Sequence, residues 1–155
     1  MKILYGIQGT GNGHISRSRI LAKELKKQGI TVDFLLSGRA KEKFFDMEVF
    51  GQFQHRKGLT FITENGEVNY LKTCFKNNIF KFIADIIRLD LSNYDLIITD
   101  FEPVTAWAAK LKGVPVIGIG HQYAFGAKTP KSHDSWLTHN IMKYFAPATN
   151  RIGLH

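Results

Sequence analysis

The sequence predicts an α/β fold, an open parallel sheet with helices packed on both faces. Three observations point to it. Short apolar runs recur at 2–7, 31–36, 94–100 and 114–120. Segments with helical spacing lie between them, at 15–28, 73–89 and 103–112. Glycine or proline punctuates the junctions. Strand and helix in alternation read as parallel strands joined by crossover helices.

Taken in order, "MKILYGI" is a buried strand and too short an apolar run for a signal peptide. The glycine loop "GIQGTGNGH" (6–14) follows. In the helix at 15–28, Ile15, Ile20, Leu21 and Leu25 share one face and Lys and Arg the other. Gly29 stands where a helix ends. "TVDFLL" is the second strand, and 40–47 reads as a short helix. "LTFIT" and "EVNYL" flank Asn65-Gly66, a strong hairpin signal, so a hairpin is inserted near 59–71. After the third core strand, "YDLIITD", Pro103 opens a helix and Gly113 closes it. "VPVIGIG" is the fourth. A last helix is expected at 134–146, capped by Asp134 or Ser135, and "NRIGLH" reads as one more strand. The whole is a single Rossmann-like domain over 1–155. The chain stops as that last strand begins, which fits a small complete domain or part of a longer protein.

Composition narrows the partners. At 155 residues and 44% hydrophobic, the chain has a core of its own. A net charge of +8 and a pI near 9.6 favour acidic partners: phosphates, anionic lipid headgroups or nucleic acid. Nucleic acid would want aromatic and basic residues interleaved on one surface, and no such run is present. The single cysteine, Cys74, excludes an internal disulfide and fits a cytoplasmic protein. No stretch reaches the length of a membrane span.

The loop carries the chemistry. Gly6, Gly9, Gly11 and Gly13 fall within eight residues, more than a tight turn requires. Ligands bind at the carboxyl ends of such strands, and the helix that follows offers free N–H groups to an anion. The dinucleotide fingerprint fails, because His14 or Ser16 stands where its third glycine belongs, and Gln8 blocks the remaining register. Arg39 after the second strand suits a 2′-phosphate, so an NADP-binding reductase stays open as the alternative. No P-loop lysine follows the glycines. His14, at a helix N-terminus that disfavours its cation, is a candidate general base. Asp100 and Glu102, in "IITDFEP", lie on the same sheet edge. Either carboxylate is placed to orient His14 or to cap the helix that follows. His121 and Gln122, in "GIGHQ", stand on that edge as candidate substrate contacts. His133 and His139 are not spaced to share a helix face, and no metal site is expected.

"GTGNGH", "TDFEP" and "GVPVIGIGHQ" together resemble the N-terminal half of GT-B-fold glycosyltransferases. The branch is similar to the peptidoglycan N-acetylglucosaminyl transferase, whose loop reads Gly-Gly-Thr-Gly-Gly-His; here the loop reads Gln8-Gly9-Thr10-Gly11-Asn12-Gly13-His14. The resemblance covers nearly all of the chain. It implies two Rossmann-like domains facing a cleft, the N-terminal one for the acceptor and the C-terminal one for most contacts to a nucleotide-sugar. It implies inverting transfer, mostly without a metal or other cofactor. His14 matches the loop base by motif, and Asp100 the orienting acid by position, with Glu102 a second catalytic candidate. Gly9, Thr10, Gly11, Asn12 and Gly13 would lie near donor phosphates and acceptor. The second domain is missing from this sequence, so the chain alone is expected to lack turnover. In the helix at 73–89, Phe75, Ile79, Phe82, Ile83 and Ile86 form a stripe edged by Lys72, Lys76, Lys81 and Arg88. The stripe packs on the sheet or touches a membrane beside a lipid-linked acceptor. An exposed Phe80 beside Lys81 would favour the membrane.

Overall fold

The structure, a computed structural model, describes residues 1–60, 63–64, 67–68, 77–124 and 144–154. Strand β1 (Lys2–Gln8) leads to helix α1 (Asn12–Lys27) and strand β2 (Thr31–Ser37). Strand β3 (Gln54–His55) and the short pair β4 (Thr63–Glu64) and β5 (Glu67–Val68) follow. Then come α2 (Ile79–Arg88), β6 (Leu96–Asp100), α3 (Pro103–Lys112), β7 (Val116–Gly120) and β8 (Asn150–Gly153). Six strands form one all-parallel sheet in the order β3-β2-β1-β6-β7-β8. The fold is the Rossmann-like one expected. β4 and β5 pair antiparallel on either side of Asn65-Gly66, as the hairpin signal requires.

Two-residue alternation builds the core on both faces of β1. Ile3, Tyr5 and Ile7 pack with Ile15 and Ala22 of α1 and with Phe34 and Leu36 of β2. Leu4 faces the other way, among Leu35, Ile97, Val104, Ala108 and Ile86. Gly6 lies on that second face, where an added Cβ would come within 2.0 Å of Thr105 Oγ1. Helix α3 therefore packs on bare backbone at this point.

From β1 the chain moves outward to β2 and β3; from β6 it moves the other way, to β7 and β8. The crevice where the direction reverses lies between β1 and β6. At its carboxyl edge Asp100 stands opposite Ile7 in register. Sheets of this kind bind ligands at such a place.

Several boundaries differ from expectation. Helix α1 starts at Asn12 rather than 15, with Gly11 as an extended N-cap, so His14 sits inside the first helical turn. The helix expected at 40–47 is only a 3₁₀ turn, Lys41–Lys43, and Asp46 further on takes a left-handed φ of 50° that no helix continues through. The stripe on α2 splits. Phe82 and Ile86 face the core, whereas Ile79, Phe80, Ile83 and Ile87 are exposed. Lys112 Nζ donates to the carbonyls of Ile87 and Leu89 and satisfies the carboxyl end of α2. Phe75, Lys72 and Lys76, like His133, His139 and residues 134–143 of the helix expected at 134–146, lie outside the described residues.

Helix α3 begins with a buried cap. Glu102 is fully buried and accepts from Val104 N at 3.0 Å, Thr105 N at 2.7 Å and Thr105 Oγ1 at 2.8 Å. Ser37 Oγ, at the end of β2, donates to it at 2.6 Å. Burial pushes this carboxyl up, and the four donors pull against burial. Glu102→Ala is expected to lower stability by about 2 kcal/mol or more, since it removes a cap and strands buried hydroxyls. Urea unfolding checks this; a loss within about 0.5 kcal/mol, as for a surface change, would contradict it.

Candidate active site

The rim of the sheet at the crevice is built by three turns. β1 feeds the glycine loop and α1. β6 feeds Asp100 and the turn into α3. β7 feeds Gly120 and the 3₁₀ turn His121–Tyr123. The second turn is tight. Phe101 takes a left-handed φ of 57° and is buried against Tyr123 and Phe145. A non-glycine residue holds that conformation only where packing enforces it. Thr99 Oγ1 accepts from Glu102 N at 2.9 Å and donates to Glu102 O at 3.0 Å, closing the turn.

Asp100 is fully buried, yet it is not a cap. Four hydrogen bonds from three residues of α1 converge on it. His14 Nδ1 donates to Oδ1 at 2.7 Å. Arg17 approaches side-on, Nε donating to Oδ2 at 3.1 Å and Nη2 to Oδ1. Ser18 Oγ donates to Oδ2 at 3.2 Å. The forked Arg–carboxylate pair makes the burial of the Asp100 charge tolerable. Behind Ser18 lies Tyr5, whose hydroxyl is 2.8 Å from Ser18 Oγ. Ser18 gives its one proton to Asp100, so Tyr5 is the donor to Ser18. Burial, reinforced by the charge of Asp100, pushes the Tyr5 phenol well up and keeps it protonated.

This network decides the state of His14. Asp100 only accepts, so the proton of neutral His14 is on Nδ1 and the lone pair on Nε2. Nε2 faces the side-chain amide of Gln122 at 3.2 Å. The ring is largely buried, with 14% of its side chain exposed. His14 is therefore an imidazole of one oriented tautomer, its Nε2 edge turned to Gln122.

The other expected residues divide. Glu102, the second carboxylate, spends its oxygens on capping and on Ser37, which places it away from His14. His121 is on the rim but donates through Nδ1 to Leu154 O at 3.1 Å. Arg39 is occupied. It donates to the carbonyls of Gly9 and Thr10 and to Asn12 Oδ1, the last two at 3.0 and 3.1 Å. It braces the loop and does not present its guanidinium to a phosphate, so the reductase alternative loses its second support.

None of the four loop glycines is in the left-handed region. Gly6 and Gly9 are packing positions: a Cβ on Gly9 would lie 2.6 Å from the Phe44 ring. Gly11 and Gly13 have neither reason, since a Cβ there would meet nothing within 4 Å. Their backbone faces open space at the start of α1, where N–H groups are free for an anion. Among the described residues no cluster of three His, Cys, Asp or Glu is placed to hold a metal ion.

Arg17, Ser18 and Tyr5 were not identified from the sequence. The usable signal was spacing: His14, Arg17 and Ser18 stand at i, i+3 and i+4 and share a helix face.

The family model for glycosyl transferase family 1 matches residues 1–152, and the chain belongs to that family. No curated protein matches it. Among solved structures, MurG of Acinetobacter baumannii is 17% identical with a TM-score of 0.53, the match covering 98% of this chain and 45% of that one. The likeness is one of fold, the N-terminal half of a GT-B glycosyltransferase, and the chain spans less than half the length of that protein. A UGT transferase from Siraitia grosvenorii, solved with UDP, is 14% identical with a TM-score of 0.46, over 80% of this chain and 29% of that one. CalG4, the calicheamicin glycosyltransferase, is 17% identical with a TM-score of 0.47, over 90% and 36%.

The glycines separate packing from ligand access. Gly9→Ala is expected to cost more than about 1 kcal/mol through overpacking against Phe44. Gly13→Ala is expected to stay within about 0.5 kcal/mol of the parent, or to be more stable, because it replaces glycine in a helix. Thermal unfolding of the two variants checks this; equal losses would show that the loop is under one common restraint.

Proposed function

We propose that this member of glycosyl transferase family 1 is the acceptor-binding half of a two-domain enzyme, with His14 as the general base. The observation that carries the reading is the hydrogen bond from His14 Nδ1 to the buried Asp100 at the reversal point of the sheet. The donor is a nucleotide-sugar, by preference a UDP-sugar, held mainly by a second domain beyond residues 1–155. His14 Nε2 takes the proton of the acceptor hydroxyl as its oxygen attacks C1 of the sugar. The bond from C1 to the phosphate oxygen breaks, and the nucleoside diphosphate leaves with the electron pair. One displacement inverts the configuration at C1. Asp100 keeps the ring oriented and is the nearest counter-charge for the imidazolium. The N–H groups at Gly11 to Gly13 face the leaving phosphates. Thr10 and Asn12 line the same loop. The step needs no metal in this scheme, and Glu102 is left to its structural task.

In a chain that carries both halves, His14→Ala is expected to lower kcat/KM for sugar transfer by about 10²–10⁴, the usual worth of a general base. Asp100→Asn should lower it as well, with circular dichroism unchanged. His14→Ala with near-parent activity would end the reading. For residues 1–155 alone, calorimetry should find weak or no binding of UDP-sugars and of NADPH. Micromolar NADPH binding lost in Arg39→Ala would restore the reductase instead.

The exposed face of α2 adds a location. Ile79, Phe80, Ile83 and Ile87 face solvent, Phe80 at 88% exposure, with Lys81 and Arg88 exposed beside them. Among the described residues no helix is long and apolar enough to cross a membrane. A basic chain with such a face suits shallow seating on the anionic cytoplasmic leaflet, next to a lipid-linked acceptor. Phe80→Ser is expected to weaken binding to phosphatidylglycerol vesicles by about fivefold or more in a sedimentation assay. Equal binding by the variant would remove the membrane from the account.

A further inference from the structure

Gln122 is only half satisfied where it stands. Its amide N–H donates to the lone pair of His14 Nε2 at 3.2 Å, since Nδ1–H is committed to Asp100. Its Oε1 is shielded from solvent and has no hydrogen-bond partner among the described residues. A shielded acceptor left unmatched is disfavoured and has a bond to gain. Gly120 leaves the space for this arrangement. An added Cβ there would lie 3.0 Å from Arg17 Nη2, 3.1 Å from Asp100 Oδ1 and 3.2 Å from Gln122 Oε1. The neighbours of Oε1 are thus already committed: Arg17 and Asp100 are paired to each other, and neither can turn to the amide without breaking the fork.

The amide also occupies the lone pair that the reaction needs. An acceptor hydroxyl reaches Nε2 only if Gln122 gives way. The side chain sits on the short 3₁₀ turn His121–Tyr123, outside the sheet.

We infer that Gln122 reads the acceptor as a pair of adjacent hydroxyls, the vicinal diol of a sugar ring. The inference rests on His14 being the base. The first hydroxyl donates to His14 Nε2, and Gln122 N–H moves from Nε2 to donate to that hydroxyl's oxygen. The oxygen keeps a lone pair for attack on C1. The turn brings Oε1 out of its shielded place, where it accepts from the second hydroxyl. Donor and acceptor lie side by side on one planar amide, as a vicinal pair requires. An acceptor with one hydroxyl leaves Oε1 unmatched and binds less well.

Methyl β-D-glucopyranoside and its 2-, 3- and 4-deoxy analogues are the probes. Each is titrated into the ¹⁵N-labelled chain while the His14 ring and Gln122 amide signals are followed by NMR. The parent glycoside is expected to move both sets of signals together. At least one deoxy analogue is expected to bind about tenfold more weakly, roughly one hydrogen bond's worth. That deficit should vanish in Gln122→Met. Equal affinity across the series overturns the inference, as does full discrimination retained in Gln122→Met. His14 signals moving while the Gln122 amide stays still also overturns it, and does so even if the variant fails to fold. If no glycoside moves the His14 signals, the reading of His14 as base falls, and this inference falls with it.

Discussion

Asp100 carries a charge in a place with no solvent exposure, and the first two turns of α1 are arranged around that fact. Its oxygens take donors from His14, Arg17 and Ser18, and Tyr5 supports Ser18 from beneath. An unpaired carboxylate would not be tolerated there, so the helix must sit where it does. The bond network thus does two things. It fixes the N-terminus of α1 against β6, across the reversal point of the sheet. It also fixes the tautomer and direction of His14. A site held by a helix turn and a strand end is held more firmly than one held by loops.

The second carboxylate of the same turn has a separate task. Glu102 lies two residues on, and the left-handed Phe101 between them directs the two side chains apart. One carboxylate reaches α1 and the histidine, whereas the other reaches the N–H groups of α3 and Ser37 of β2. Residue type alone does not separate a cap from an orienting acid. The partners do: backbone N–H groups for the one, a titratable ring for the other. Arg39 is a similar case, its fork spent on loop carbonyls.

Much of the fold was legible because local rules and global packing agree. The alternation of Ile3, Tyr5 and Ile7 with Leu4 marks a strand buried on both faces, and Pro103 and Gly113 bracket α3 as expected. The pairing of β4 with β5 around Asn65-Gly66 follows from turn chemistry. His14 and Asp100 were legible as residues of one sheet edge, which parallel strands share whatever their order; that they touch follows only once β1 lies beside β6. The contact of His14 with Gln122 was not legible either, since it needs β7 beside β6, which spacing does not determine. Which face of α2 points outward is not legible for a related reason. Apolar residues lie nearly all round that helix, and periodicity does not tell which of them the sheet covers. Arg17 and Ser18 read as ordinary polar positions on α1 until the buried acid they face is known.

The chemistry of the site turns on one proton. If Asp100 holds His14 as described, neutral His14 carries hydrogen on Nδ1, with the electron pair on Nε2 turned toward the Gln122 amide. Long-range ¹H–¹⁵N correlation of the His14 ring at neutral pH reads this directly. Protonated Nδ1 with unprotonated Nε2, changed in Asp100→Asn, is the predicted result. A proton on Nε2 instead would mean that Asp100 does not orient the ring, and that His14 has no lone pair to offer an acceptor.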